Sequence, residues 1–269
     1  MRFSPFARLN RLAVRVPVAV AAATIFSMIV VAGAAIWVSS ETIHKATREN
    51  FTDKASYRAA VMSRYFESRT AEVKVMASQA SMRNALFAFE AAYAELSDQQ
   101  AKSVTEHYTT GNPNKGKNAE YGGQEDRSYY GTAHRLRHPV LRKLNDELGY
   151  YDTFLIRLDG QIVYTVEKEA DFGANLMTGT YRDTALGKAF RQALRPGFED
   201  KAALVDFEAY APSAGVPAAF IAKAILDDDG KPLGVLATQL SVKGMNARLG
   251  TGSNLSLIHI SEPTRPRLI

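Results

Sequence analysis

No cysteine occurs in the 269 residues, which excludes disulfides, thiolate metal sites and a cysteine nucleophile. Export to an oxidising compartment is therefore tolerated but not demonstrated. Neither glycine nor proline occurs between residues 39 and 110, so no local breaker interrupts a helix there. The first 15 residues hold four arginines, Arg2, Arg8, Arg11 and Arg15, and no acidic residue. Motifs of several enzyme classes are also missing: there is no Gly-x-Ser-x-Gly elbow, no Gly-rich phosphate loop and no His-Glu-x-x-His site. Scattered carboxylates can always be paired on paper, so these absences argue against an enzyme without excluding one.

Charge is absent from all 23 residues between Val16 and Val38. A helix of that length rises roughly 35 Å, enough to cross a ~30 Å hydrocarbon layer with some tilt. The flanking arginines mark the cytoplasmic side, and Trp37 falls where the helix meets the opposite headgroups. The competing reading is a cleaved signal peptide, with Ala32-Gly33-Ala34-Ala35 supplying small residues, but a signal core is only about 7 to 15 residues long. The expected layout is a cytoplasmic segment (1–15), a membrane helix (16–38), an extracytoplasmic helical region (39–149) and a further folded domain (150–250).

The chain has 33 basic and 28 acidic residues, yet residues 16 to 254 hold 27 of each. The basic balance belongs to the ends, so the exported part offers no overall cationic field and a nucleic-acid partner is not expected. Residues 255–269, beginning Leu255-Ser256-Leu257-Ile258-His259-Ile260-Ser261-Glu262-Pro263-Thr264-Arg265, read as an in-frame translation of an adapter used for sequencing libraries. They are set aside from fold reasoning, with a disordered native tail as the alternative. The natural chain is expected to continue past Asn254, where a receptor's output module and a second membrane helix would lie.

From residue 39 to about Tyr108 the pattern is helical. Ala55, Ala59, Met62, Phe66, Val73, Met76 and Ala80 recur in steps of four and three, with Arg69 in the place the rhythm assigns to it. Such a repeat makes a narrow seam for a partner chain or for the chain's own domain. Ser97-Asp98 breaks or re-caps the helix, and Asn112-Pro113-Asn114-Lys115-Gly116-Lys117-Asn118 and Gly122-Gly123 form loops. A shorter helix runs from Asp126 to Leu148, kinked or divided at Pro139 and stopped at Gly149. His134 and His138 share a face on it. With no third acidic or histidine ligand in view, they read as a solvated or hydrogen-bonded pair and not as a metal site.

From Tyr150 the period changes to that of strands. Asp152 to Leu158 and Gln161 to Val166 flank Asp159-Gly160, a strong hairpin signal. A helix is expected from Arg182 to Leu194, followed by strands at Leu204–Ala211, Ala218–Leu226 and Leu233–Val242, the last two joined across Asp227-Asp228-Asp229-Gly230. The fold class is therefore α+β: a membrane helix, a long helical region, then a five-stranded antiparallel sheet with helices on both faces.

The phrases Gly149-Tyr150-Tyr151-Asp152-Thr153-Phe154-Leu155-Ile156, Asp159-Gly160-Gln161-Ile162-Val163-Tyr164-Thr165-Val166-Glu167-Lys168-Glu169-Ala170-Asp171-Phe172-Gly173, and Ala218-Ala219-Phe220-Ile221-Ala222-Lys223 through Gly234-Val235-Leu236-Ala237 resemble the Cache family of PAS-like extracellular sensors. They are similar to the sensor regions of bacterial methyl-accepting chemotaxis proteins; related sensors precede histidine kinases and nucleotide cyclases. The resemblance covers about residues 40 to 250. It implies a homodimeric receptor of the bacterial inner membrane, amino terminus cytoplasmic, that binds an amino acid, organic acid or amine in the periplasm without a cofactor. It departs at the carboxyl end, where no second membrane helix, HAMP linker or methylated hairpin follows. Gly250-Thr251-Gly252 leaves open whether a second sensor module begins there.

The resemblance places the ligand-facing loop at the exit from the second strand, at Tyr164, Lys168, Asp171 and Phe172, with Phe207, Tyr210 and Phe220 on the facing strands. Aromatic walls with a few converging polar groups suit a small polar ligand, a cation binding to the aromatic faces or to Asp171, and a carboxylate to Lys168. Tyr130, His134, Tyr151 and Asp152 form a second group, since the short helix can fold over the hairpin. Against each position stands the plainer alternative of a core aromatic or a solvated charge. A membrane-anchored periplasmic enzyme and an interaction protein that works through its helical seam are the remaining function classes. If the apolar segment is a retained anchor, mass spectrometry of the membrane-extracted protein finds the amino terminus intact; a mature terminus near Ile36 overturns this.

Overall fold

The structure, a computed structural model, describes residues 11–251. Arg2, Arg8, Gly252 and the segment from Leu255 onward lie outside the described residues. The chain divides into two compact units, one ending at Ser63 and the other beginning at Arg64. α1 (Arg11–Ser78) contributes to both.

In the first unit, Arg15–Thr42 is long and apolar enough to cross a membrane. Its apolar side chains, Ile25, Phe26, Met28 and Ile29 among them, are exposed along the span. Hydroxyls within it are turned back on the backbone: Thr24 donates to the Ala21 carbonyl at 2.9 Å and Thr42 to the Val38 carbonyl at 2.8 Å. That satisfies polar groups which lipid could not. Ala55 and Ala59, the first seam positions, are exposed.

The second unit opens with the end of α1, followed by α2 (Ala80–Ala94), α3 (Asp98–Tyr108) and α4 (Tyr129–Leu148). The uninterrupted helix expected up to Ser97 is in fact broken at Gln79, whose extended backbone (φ −74°, ψ 136°) ends α1 and starts α2. The break serves packing. Arg69, Val73 and Met76 are buried on α1, Ala80 is left exposed, and Met82, Leu86 and Phe89 take over the core positions. From Phe66 to Met76, then, the seam packs on its own domain. Ser97 precedes α3, its backbone N–H donating to Gln100 Oε1 at 2.9 Å.

α4 begins three residues later than Asp126, because that carboxylate accepts from the Ser128 N–H (2.8 Å) and Ser128 then caps the helix by accepting from Gly131 N–H (3.1 Å). Pro139 does not divide it: His134, His138, Leu141 and Asn145, on both sides of the proline, are buried in one core. Gly149, at φ +67°, closes it.

The strands are β1 (Asp152–Arg157), β2 (Ile162–Thr165), β3 (Ala203–Ala209), β4 (Pro217–Leu226) and β5 (Pro232–Ser241). All pairings are antiparallel and the order is β2-β1-β5-β4-β3. α5 (Ala185–Ala193) lies between β2 and β3, and α6 (Val242–Thr251) follows β5 and covers Gly250 and Thr251. α5 is shorter than expected because Thr184 caps it, donating to the Tyr181 carbonyl at 2.7 Å and accepting from Gly187 N–H at 3.4 Å.

The sheet is buried on both faces. Leu155, Val163, Ile221, Leu236 and Leu240 pack on α1, α2 and α4, while Phe154, Ile156, Phe220, Val235 and Ala237 pack on Leu186, Ala189 and Phe190 of α5. Gly234 lets α2 approach: a Cβ there would sit 2.7 Å from a Leu86 methyl and 2.7 Å from the Ile156 carbonyl. Arg69, only 4 % exposed, ties α1 to α4 by donating to the Leu148 carbonyl at 2.8 Å and pairing with Glu72, with its guanidinium 5.5 Å from the Tyr150 ring centre. Tyr150 completes the knot by donating to Glu72 at 3.0 Å. Arg69→Ala is expected to lower stability by about 2 to 3 kcal/mol, below the full cost of breaking a buried pair because Glu72 is partly solvated. Arg69→Lys should not restore it, since an ammonium cannot reproduce the planar two-sided contact. Urea unfolding, with the midpoint lowered and the slope unchanged, is the measurement.

Candidate functional site

The segment leaving β2 supplies side chains to both faces of the sheet, and this sorts the expected residues into two groups. On the helical face are Tyr164, Lys168 and Phe172 from that segment, Tyr130, His134 and His138 from α4, and Tyr108 from α3. Their rings pack closely: His134 on His138 at 4.4 Å, Tyr108 on His134 at 4.6 Å, and Tyr130 on Phe172 at 5.8 Å. Gly123, at φ +76°, lets the loop pass over them, since a Cβ there would lie 2.3 Å from the Tyr108 hydroxyl.

His138 faces the Ala119 carbonyl with Nε2 (2.8 Å), so Nε2 carries the hydrogen and Nδ1 accepts from the Tyr164 hydroxyl at 2.7 Å. Burial, then the charge of Lys168, brings His138 down to about 3. His134 is likewise lowered, by burial and then by His138, with Nδ1 at 3.2 Å from the Gly122 carbonyl and Nε2 without a partner. Both histidines are therefore neutral at neutral pH. Among the described residues no three histidine or carboxylate side chains are grouped to hold a metal.

On the opposite face lies an acidic, aromatic group. Asp171 accepts from the Tyr210 hydroxyl at 2.5 Å through Oδ2, and its Oδ1 is buried without a partner. Tyr210 stands edge-on to Phe220 at 4.9 Å, and Tyr181 lies 6.5 Å from it. Glu169 accepts from Tyr151 and from Ser213, each at 2.6 Å, and Ser213 accepts in turn from Gln239 Nε2 at 2.9 Å. Gln239 pairs in register with Asp152 on one side and Phe220 on the other, and its Oε1 is also buried and unpartnered. Asp152 accepts backbone N–H groups from Thr153, Val166 and Glu167 and the Thr165 hydroxyl. Burial is the main force on Asp171; the Tyr210 bond pulls the other way, Glu169 adds to it, and the carboxyl stands at about 7.

The structure thus brings Asp171, Tyr210, Phe220, Tyr151 and Asp152 together, and separately Tyr130, His134, Tyr164, Lys168 and Phe172. Lys168 does not share a side of the sheet with Asp171, and Tyr151 and Asp152 do not join Tyr130 and His134. Phe207 belongs to neither group. A β-bulge between Val205 and Glu208 shifts the strand's phase, so Phe207 packs against the helical-face core. Glu169, Ser213 and Gln239 were not read from the sequence. Gln239 left a signal, a lone amide in the mostly apolar Leu233–Val242 run, whereas Ser213 lies in a turn with none. An open cleft of about 580 Å³ between the α2–α3 corner and the β1–β2 turn, lined by Tyr93, Lys102, Thr105, Arg157 and Gln161, contains none of the expected residues.

Asp171 should show itself in stability. The folded protein keeps its proton up to about 7 whereas the unfolded chain releases it near 3.9, so this contribution is full below the unfolded value and is lost as pH rises to 7. Compared with Asp171→Asn, the wild type is expected to lose stability between pH 4 and 7, as read by denaturant unfolding; parallel curves refute the assignment.

No family model and no curated protein matches the chain. Among solved structures it is similar to the sensor domain of the histidine kinase DctB of V. cholerae, with TM-score 0.43 and 11% identity over 70% of this chain and 54% of that one. It is also similar to the ligand-binding domain of the Campylobacter jejuni chemoreceptor Tlp3 in complex with 4-methylisoleucine (TM-score 0.33, 13% identity, 62% of this chain and 61% of that one). A third is that of the Pseudomonas aeruginosa amino acid chemoreceptor PctC in complex with GABA (0.31, 17%, 57% and 58%). All three scores lie below 0.5, and the chain spans less than two thirds of each of these structures.

Proposed function

We propose that this chain is the membrane-anchored, extracytoplasmic sensor region of a Cache-type receptor, and that it takes a small ligand carrying an ammonium group at Asp171. One observation carries the reading. Asp171 is buried with no basic group acting on it: Tyr210 bonds its Oδ2, Oδ1 has no well-formed partner, the backbone N–H groups of Asp171 and Phe172 add weaker support, and Glu169 adds a like charge. An ammonium group supplies what is lacking there, a positive charge and N–H donors for Asp171 Oδ1 and Gln239 Oε1. The faces of Tyr210 and Phe220 favour a cation as well. The surplus of carboxylates on this side of the sheet favours amines and amino acids over plain organic acids.

In this reading Arg15–Thr42 anchors the receptor in the bacterial inner membrane, the sensor lies in the periplasm, and two copies pair. The output belongs to a module beyond Asn254, a chemotaxis signalling domain first, a histidine kinase or nucleotide cyclase as the alternative. Half-buried Tyr181 stands beside the site, 6.5 Å from the Tyr210 ring, and its hydroxyl donates to the Ala170 carbonyl at 3.4 Å. The ligand changes the receptor only as far as it prefers one arrangement of this segment over another, and coupling of about 1 to 3 kcal/mol is the usual scale.

A thermal-shift screen of amino acids, amines and organic acids, followed by calorimetry, tests the reading. Asp171→Ala removes a charge-assisted bond of about 1.5 to 3 kcal/mol and should weaken an amine-bearing ligand about 10- to 100-fold. Phe207→Ala, on the other face, should leave affinity unchanged. Binding of organic acids alone, or equal affinity in Asp171→Ala, overturns it.

A further inference from the structure

Lys168 has no part in the amine site, yet its side chain is 2 % exposed. Its backbone takes a φ of +54°, a conformation that residues with a Cβ adopt only when their surroundings hold them there. That turn sends the Lys168 amine to the helical face while Glu169 and Asp171, on the same loop, serve the other face. The Lys168 N–H donates to Thr165 Oγ1 at 2.9 Å, and Thr165 donates to Asp152 at 2.6 Å, so the turn is fixed at its base.

The seat of the amine suits a neutral group. Nζ donates to the Val166 carbonyl at 3.0 Å; its other neighbour, at 3.3 Å, is His138 Nε2, whose hydrogen already points to the Ala119 carbonyl. An ammonium there would have one good acceptor for three N–H groups, and an N–H facing it. The charged and titratable groups around it are His134, His138 and Arg142 from α4, Asp152 from β1, and Tyr164 and Glu167 from β2 and its exit. Burial dominates, Asp152 and Glu167 oppose it, Arg142 reinforces it, and the amine is lowered to about 7. Turning His138 over would give the ammonium an acceptor, but only by giving up the bond to Ala119.

We propose that Lys168 is a proton-operated latch on the ligand loop: the neutral amine seats against His138 and holds residues 165–171 in place, and proton uptake unseats it and loosens the loop that carries Glu169 and Asp171. The latch rests on the amine-site reading only in naming that loop as the ligand's, so it is tested without ligand. Hydrogen exchange of the full chain in detergent, corrected for intrinsic rates, is expected to show protection of amides 165–171 at least tenfold lower at pH 6 than at pH 8.5. In Lys168→Met this rise with pH should be absent, leaving only the opposite trend set by Glu167 and Asp171, which titrate at about 7 in both proteins.

Unfolding supplies a second readout. Below about pH 7 both folded and unfolded chains hold the proton; above it the unfolded chain alone keeps it, up to about 10.4. Stability therefore rises with pH across that window, and this one proton lowers the unfolding constant by about tenfold per pH unit from pH 7.5 to 9.5. The histidines titrate below the window and the buried tyrosines above it. Lys168→Met should lack this component. Pair-wise identical pH slopes in the two proteins, or wild-type protection of 165–171 that does not change with pH, overturn the latch. Failure of the amine site alters neither result.

Discussion

The segment that leaves β2 depends on one carboxylate. Asp152 opens β1, and its Oδ1 takes the N–H groups of Thr153, Val166 and Glu167 at 2.6, 2.8 and 3.1 Å while Oδ2 takes the Thr165 hydroxyl. Three of these four donors belong to the exit of β2. Burial and the charge of Asp171 push the Asp152 carboxyl up, and the bonds from Thr165 and Glu167 pull it back. Its strand lies between β2 and β5, so the anchor is held by backbone ladders on both sides. Short polar bonds of this kind fix the direction in which each later side chain leaves the loop, which apolar packing alone leaves free.

Two networks of different character then meet along a few residues of backbone. On the helical face the groups are aromatic and basic, with neutral histidines and an amine; on the other they are aromatic and acidic, with two buried acceptors left open. The sheet separates them, and the turn at Lys168 joins them. Both networks hang on the same few residues of backbone, which is thus a physical element that groups on either side contact.

Much of the architecture was legible. The uncharged run after the arginines, the two Asp-Gly turns and the strand-like phrases between them correspond to Arg15–Thr42, the β1–β2 and β4–β5 connections, and five strands within a few residues of where they are found. What period and propensity do not carry is side. The break at Gln79 has no glycine or proline to announce it and follows from which residues the sheet needs beneath α2. Phe207 changes face through a bulge that alternation hides. Lys168 and Asp171, three residues apart, looked like two ends of one ligand site; the positive φ between strand and turn separates them, and nothing in the residue name lysine signals it. Tyr164, Tyr210 and Phe220 were readable as buried aromatics, but their assignment to opposite faces required the strand register.

Arg69 has a mechanical consequence. It sits on the same helix as the apolar span, and its hydrogen bond ends on Leu148, the last residue of α4, with Tyr150 two residues further on closing the contact and β1 beginning at Asp152. A helix sliding along its own axis by one turn would travel about 5.4 Å, far beyond the reach of a hydrogen bond. At this crossing, axial motion of the helix is therefore not absorbed as slip: it either drags the end of α4 and the root of β1 with it or is resisted by them.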